Sequence, residues 1–221
     1  MIGTGNDIVS LTAINITRTK QYKFHSKILS DSENPLYKEF GLAGIPFENF
    51  VWLLWSIKES AYKFLQRNDP DLVFTPIKFM VKGLSLPSAF AVSSFNTTEA
   101  EGTGFDKVAC IKGVVSFENY TLYSRSIIYR EFIHSVVSYY DSFDHTCWGV
   151  KLIDDSSNEN QSKEVRLFLL GRLTQLYGAN NFTINKNPHG CPILLKGKEE
   201  CAIPVSLSHH ENMIAYSFQA Y

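Results

Sequence analysis

Glu59 and Lys63 lie four positions apart in a run, Phe50 to Gln66 (FVWLLWSIKESAYKFLQ), that reads as one helix. That spacing puts a carboxylate and an ammonium one turn apart on the same face. Asp7, in GTGNDIVSL near the N-terminus, is a second carboxylate on what reads as a short strand. Two carboxylates and a lysine can hold a divalent metal together with an anionic substrate. Mg²⁺ takes one or two carboxylates and fills its other positions with phosphate oxygens and water. A lysine one turn from a metal carboxylate suits charge developing on a leaving phosphate. Each residue also has a plainer reading. Glu59 and Lys63 alone would be a solvated pair contributing about 0.3–0.5 kcal/mol. Asp7 after a glycine is a common turn residue, and His209 in SLSHH reads as a hydrogen-bonded turn histidine.

The helix itself favours the chemical reading. At 100° per residue, Phe50, Leu54, Ile57, Ala61, Phe64 and Leu65 fall within roughly 60° of one direction, an apolar stripe that faces a core. Trp55, Glu59 and Lys63 lie opposite, flanked by Trp52 and Tyr62. A solvent face seldom carries two Trp and a Tyr. Such a face borders a cleft or a second domain, with Glu59 and Lys63 pointing into it.

The chain of 221 residues fits one large domain or two small ones, and at 44% apolar it builds a sizeable core. Its net charge of −1 gives no general pull toward nucleic acid or anionic membrane. No apolar run approaches the ~20 residues that span a bilayer. No basic-then-apolar leader opens the sequence. Four scattered cysteines without C-x-x-C spacing argue against a zinc ribbon or disulfide scaffold. A reduced, cytoplasmic setting is the expectation.

The fold class expected is α+β. Met1 to Leu11 holds a strand. Ser30 or Asp31 suits the cap of a helical turn, and Glu33, three residues after Ser30, suits a capping box. After the long helix, Phe74 to Val81 and Ala89 to Phe95 read as strands, with Thr97 to Phe105 a hairpin loop. From Lys107, three Val/Ile/Tyr-rich runs read as an antiparallel meander. Asp141 to His145 is a seam, dividing 1–144 from 145–221. Beyond it come a strand at Cys147 to Ile153, a polar stretch at Asp154 to Lys163 that reads as a loop or an exposed helix start, and a helix at Glu164 to Tyr177 with Gly178 as C-cap. Strands follow near Phe182, Ile193 and Val205 and over Asn212 to Phe218.

The order G-N-D-I-V, then W-S-I-K-E-S-A-Y-K, then S-L-S-H before a terminal apolar strand resembles the 4′-phosphopantetheinyl transferases. Their signature is G-x-D, a spacer, then W/F-S/C-x-K-E-S/A-x-x-K. The resemblance implies transfer of the phosphopantetheine arm of coenzyme A to a serine of an apo acyl or peptidyl carrier protein, with Mg²⁺ as metal. It implies Asp7 and Glu59 as metal carboxylates, Glu33 as a third acidic position, and Lys63 on the coenzyme A phosphates. It places Ser208, His209 and Arg166 on coenzyme A, with Glu59 and Lys63 catalytic. Two positions depart from the pattern. Val9 stands where many long members have a third carboxylate, as in the short acyl-carrier-protein synthases. Gly190-Cys191-Pro192 replaces G-K-P, so a phosphate-contacting lysine is absent, with Lys186 or Lys198 as substitutes.

The layout is also distinct. Residues 1–144 resemble the carboxy-terminal half of the long, surfactin-synthetase-activating enzymes, and 145–221 their amino-terminal half. The expectation is a monomeric pseudo-dimer of similar halves in swapped order, like a circular permutation. A trimer of synthase-like subunits is the alternative. For the carrier, a basic and apolar patch is expected, with Lys78, Lys82 and Phe74 to Phe79 as candidates. The rival function is a non-catalytic module binding carrier proteins or coenzyme A. Base stacking on the aromatics near Lys63 has little electrostatic support at this charge.

Overall fold

The computed structural model describes residues 3–39, 44–88, 90–105, 108–178 and 181–220. Met1, Ala89, Lys107 and Tyr221, named in the ranges above, lie outside them. The described elements begin with strand β1 (Thr4–Ser10) and three single-turn helices, α1 (Ile16–Thr19), α2 (Tyr22–His25) and α3 (Leu36–Glu39). Then come α4 (Phe47–Gln66), β2 (Met80–Ser85), β3 (Glu99–Thr103), β4 (Ile111–Phe117), β5 (Tyr120–Ile128) and β6 (Phe132–Ser138). The rest is β7 (Thr146–Leu152), α5 (Asn158–Tyr177), β8 (Phe182–Lys186), β9 (Pro192–Lys196), β10 (Glu199–Glu200), β11 (Val205–His210) and β12 (Met213–Gln219). These form three antiparallel sheets, ordered β1-β6-β5-β4-β2, β11-β12-β7-β3 and β10-β9-β8. The protein is thus α+β, with two long helices.

Alternation along the strands sorts side chains into layers. Val9, Ile133 and Val137 pack with Phe50, Leu54, Ile57, Ala61 and Phe64 of α4, the stripe read from the sequence. Ile8, Phe132 and Val136 point the other way, against Trp148, Val150 and Ala215 of the second sheet. Cys147, Ile214, Tyr216 and Phe218 face Val165, Phe168 and Leu169 of α5. The order is helix, sheet, sheet, helix. In the first sheet β1 pairs antiparallel with β6, its first strand with its last, and in the second β7 pairs antiparallel with both β12 and β3. One 20-residue helix packs on β1 and β6, the other on β11 and β12.

Several boundaries differ from the sequence reading. Helix α4 starts at Phe47, because Pro46 marks the entry and Glu48 suits the first turn. Helix α5 starts at Asn158 inside the polar stretch, where the Ser157 side chain accepts from the Asn160 N–H. The expected strand over Phe74 to Val81 is split. Pro76 opens a 3-10 turn (Pro76–Lys78), and the strand begins at Met80. Residues 90–95 contribute one bridge, Ser93 to Tyr129. The expected loop at Thr97 to Phe105 contains strand β3, whose polar sequence suits a sheet edge. β3 pairs with β7, so a strand from before the seam completes the sheet that follows it.

Gly5 explains the glycine of G-x-D. A Cβ there would lie 2.0 Å from the Ser60 carbonyl oxygen and 2.8 Å from the Phe64 nitrogen, so β1 and α4 touch backbone to backbone. Gly5→Ala is expected to cost about 1–3 kcal/mol of stability, the range for overpacking, read from denaturant unfolding.

Candidate functional site

On β1, alternation sends Gly5, Asp7 and Val9 toward α4 and Asn6 toward the second sheet. Asp7 is buried, and its Oδ1 accepts from Lys63 Nζ at 2.9 Å. Lys63 Nζ is also 3.2 Å from Glu59 Oε1, one helical turn back, and both α4 side chains are a quarter exposed. The three residues expected to act together therefore meet, with the ammonium standing between two carboxylates. The Asp7 carboxyl is pushed up to about 7, first by burial and then by the Glu59 charge, with Lys63 opposing. Lys63 is raised. Burial disfavours its charge, but Asp7 and Glu59 outweigh that.

Asp7 Oδ2 is buried without a hydrogen-bond partner among the described residues. An orphaned carboxylate oxygen beside a second, partly exposed carboxylate fits a divalent cation. The donor set is two carboxylates, which leaves positions for phosphate oxygens and water. Among the described residues, no three His, Cys, Asp or Glu side chains converge as a metal-holding group.

The second segment supplies the facing wall. Ser208 is buried on β11, and its hydroxyl donates to Asn6 Oδ1, while Ser206 Oγ accepts from the Asn6 N–H. Asn6 thereby ties β1 to the S-L-S-H strand, a role the sequence reading missed. His209 is exposed, and its pKa is lowered by partial burial and by the charges of Lys63, Lys186, His210 and Arg166. Lys63, Arg166 and Lys186 thus all set their positive field on His209, whose own imidazole is left uncharged near neutral pH. Arg166 Nη1 meanwhile donates to the Ser162 carbonyl and hydroxyl. Of the two substitute lysines, Lys186 lies within this field, and Lys198 sits exposed in the β9–β10 turn. His210 Nδ1 accepts from the Ser10 N–H at 2.9 Å.

Glu33 is not brought to Asp7 and Glu59. It is fully buried, and its Oε2 is 2.6 Å from Lys58 Nζ and accepts from the Ser30 N–H at 2.8 Å. Its Oε1 accepts from the Val81 N–H at 2.7 Å. The reach back to Ser30 is the contact expected of a capping box, but it closes a turn over residues 31–35 rather than a helix, and α3 starts only at Leu36. The remaining contacts lock Glu33 into the core, so both oxygens are taken. The aromatic flank of α4 also has local partners. Trp52 donates to Thr19 Oγ1 and packs near Phe24, while Trp55 and Tyr62 pack on Phe74.

His134, on β6, was not legible as special. It is fully buried between the sheets near Trp148, with neither ring nitrogen bonded among the described residues. Burial, with a lesser push from Lys63, lowers its pKa from 6.5 to about 3. The unfolded chain binds this proton near 6.5 and the folded chain only near 3. Stability from His134 is therefore present above 6.5 and lost as pH falls through that window. His134→Leu is expected to flatten this acid limb in urea unfolding from pH 4 to 7.

No protein-family model, no curated protein and no solved structure matches this chain. Among the described residues, no helix is long and apolar enough to cross a membrane.

Proposed function

We propose that this chain is an Mg²⁺-dependent 4′-phosphopantetheinyl transferase. It would move the phosphopantetheine group of coenzyme A to a serine of an apo acyl or peptidyl carrier protein, releasing adenosine 3′,5′-bisphosphate. The observation that carries the reading is the meeting of Asp7, Glu59 and Lys63 from two elements far apart in sequence.

Asp7 and Glu59 would hold the metal, which when bound supplies charge neutralisation at the pyrophosphate. The carrier serine oxygen attacks the phosphorus bearing pantetheine, and the bond from that phosphorus to the bridging oxygen breaks. Glu59, the more exposed carboxylate, takes the serine proton or passes it to water. Lys63 stabilises the negative charge left on the departing nucleotide phosphate. Ser208, His209 and Arg166 orient the nucleotide from the opposite wall.

The swapped-order pseudo-dimer belongs to this proposal. It is supported by one likeness between the halves, an antiparallel sheet with a 20-residue helix packed on two of its strands, α4 on β1 and β6 and α5 on β11 and β12. In that arrangement one chain supplies both walls, consistent with a monomer. Ile77 and Met80 are exposed beside the exposed Lys78 and Lys82, a basic and apolar surface suited to an acidic carrier. Phe79 is buried and takes no part in it.

The non-catalytic module is favoured by one observation, a donor set of two carboxylates rather than three. Incubation with apo carrier proteins, coenzyme A and Mg²⁺, followed by mass spectrometry of the carrier, separates the two. A phosphopantetheine adduct supports the transferase. Coenzyme A binding with no adduct across several carriers supports the module.

A further inference from the structure

A cavity of about 320 Å³ lies against the first sheet, on the face turned away from α4. The second sheet packs on that face at β1 and β6. The cavity borders the same face further along, on β5, β4 and β2. Register sets Arg125 of β5 directly opposite Lys112 of β4, and Lys112 directly opposite Ser85 of β2. The three form one row across neighbouring strands, and all three line the cavity. Its apolar lining includes Leu86 and Pro87 after β2, and Phe105 and Val108 before β4. A second hollow of about 270 Å³, lined in part by Tyr123 and Asp141, meets it along the same row.

Arg125 is buried and held in place. Its Nη1 donates to the Ser124 carbonyl at 3.0 Å, and its Nη2 donates to the Asp141 carbonyl and carboxylate, both at 2.8 Å. Its guanidinium carbon lies 4.5 Å from the centre of the Phe143 ring. These contacts engage at most three of its five N–H donors, so at least two remain. Lys112 is exposed, and no carboxylate of the described residues pairs with it. Two like charges directly opposite on neighbouring strands disfavour the sheet. An anion between them reverses the sign of that interaction. Asp141 offsets one of the two cations, and no carboxylate of the described residues lines the larger cavity. The charge left facing it is that of one cation, which suits a monoanion. The apolar walls suit a chain attached to that anion, and the volume lies at the lower end of the ~300–1,000 Å³ of small-molecule sites. We propose that this cavity binds a medium-chain carboxylate, its head on Lys112, Arg125 and the Ser85 hydroxyl and its chain along Leu86, Phe105 and Val108. The inference stands apart from the transferase reading, because Asp7 and Glu59 lie on the α4 side of the same sheet.

Calorimetric titration of the full chain with octanoate tests this, with octanol, acetate and inorganic phosphate as comparison ligands. Wild type is expected to bind one octanoate, about 10- to 100-fold more tightly than octanol, the range for a charge-assisted hydrogen bond. Acetate, which lacks the chain, should bind at least about 10-fold more weakly than octanoate. Lys112→Gln should lose the preference for octanoate over octanol, and Lys112→Arg should keep it. Lys112 is exposed, so both variants are expected to fold. Val108→Trp, which fills the apolar end, should weaken octanoate and leave acetate unchanged. Octanol binding as tightly as octanoate overturns the inference, as does an undiminished preference in folded Lys112→Gln. Acetate or inorganic phosphate binding as tightly as octanoate reduces the site to a cationic patch and overturns it too. Displacement of octanoate by coenzyme A puts the ligand elsewhere and has the same consequence. Absence of octanoate binding by wild type at millimolar concentration ends it outright.

Discussion

Asp7→Asn and Glu59→Gln are each expected to slow the proposed phosphopantetheine transfer by about 10²-fold or more at saturating Mg²⁺, the scale of losing acid–base or electrostatic catalysis. The reason lies in how the charges are arranged. Asp7 is buried with one oxygen unpartnered, beside a second carboxylate that disfavours its ionisation. A fold gains nothing from that arrangement alone. Asparagine keeps the shape and removes the charge, so Asp7→Asn should unfold at a denaturant concentration no lower than wild type. Lost turnover with stability kept is the pattern of a residue retained for function at a cost to the fold. Near wild-type rates in both variants would remove Asp7 and Glu59 from the mechanism.

The same burial has a pH signature in Mg²⁺-free buffer. The Asp7 carboxyl titrates near 3.8 when exposed and near 7 when folded. Its contribution to stability is full below 3.8 and lost as pH rises through 7. His134 acts in the opposite direction over an overlapping window, so the two slopes partly cancel in wild type. Asp7→Asn should leave the acid limb of His134 steeper by comparison, and His134→Leu should expose the decline due to Asp7.

Much of this was legible because it is periodic. The α4 stripe, the meander of β4 to β6 and the Gly178 cap follow from spacing and from backbone conformations few residues adopt. The Asp7, Glu59 and Lys63 set was legible once helix spacing put two of them on one face. What sequence could not give is tertiary. β3 reads as a loop because its residues are polar, and only β7 makes it a strand. Trp52 and Trp55 read as cleft-lining because α2 and Phe74, which cover them, are distant in the chain. Asn6 carried no local pattern. Its role arises only where β1 meets the strand of Ser206 and Ser208.

Glu33 shows why a motif position and a role can part. The resemblance makes it a metal-site acid, whereas its surroundings make it half of a fully buried ion pair with Lys58. Burial lowers the Lys58 pKa, and Glu33 opposes that fall. The pair also satisfies the Ile28 carbonyl and the Val81 and Ser30 N–H groups, joining the segment before α3 to α4 and β2. Removing one member strands the other charge in the core, at about 3–5 kcal/mol. Glu33→Ala and Lys58→Met are therefore each expected to lower Tm by on the order of 10 °C. The double variant Glu33→Leu with Lys58→Met should lose less than the sum, because no charge is then left unpaired. A catalytic acid behaves otherwise, with single variants that keep Tm and lose turnover. Glu33→Gln that melts like wild type but fails to transfer would return Glu33 to the chemistry. A fall in Tm with the Mg²⁺ dependence of the proposed transfer unchanged in the remaining folded protein would fix it as the brace that holds the K-E-S segment of α4, and with it Glu59, in place.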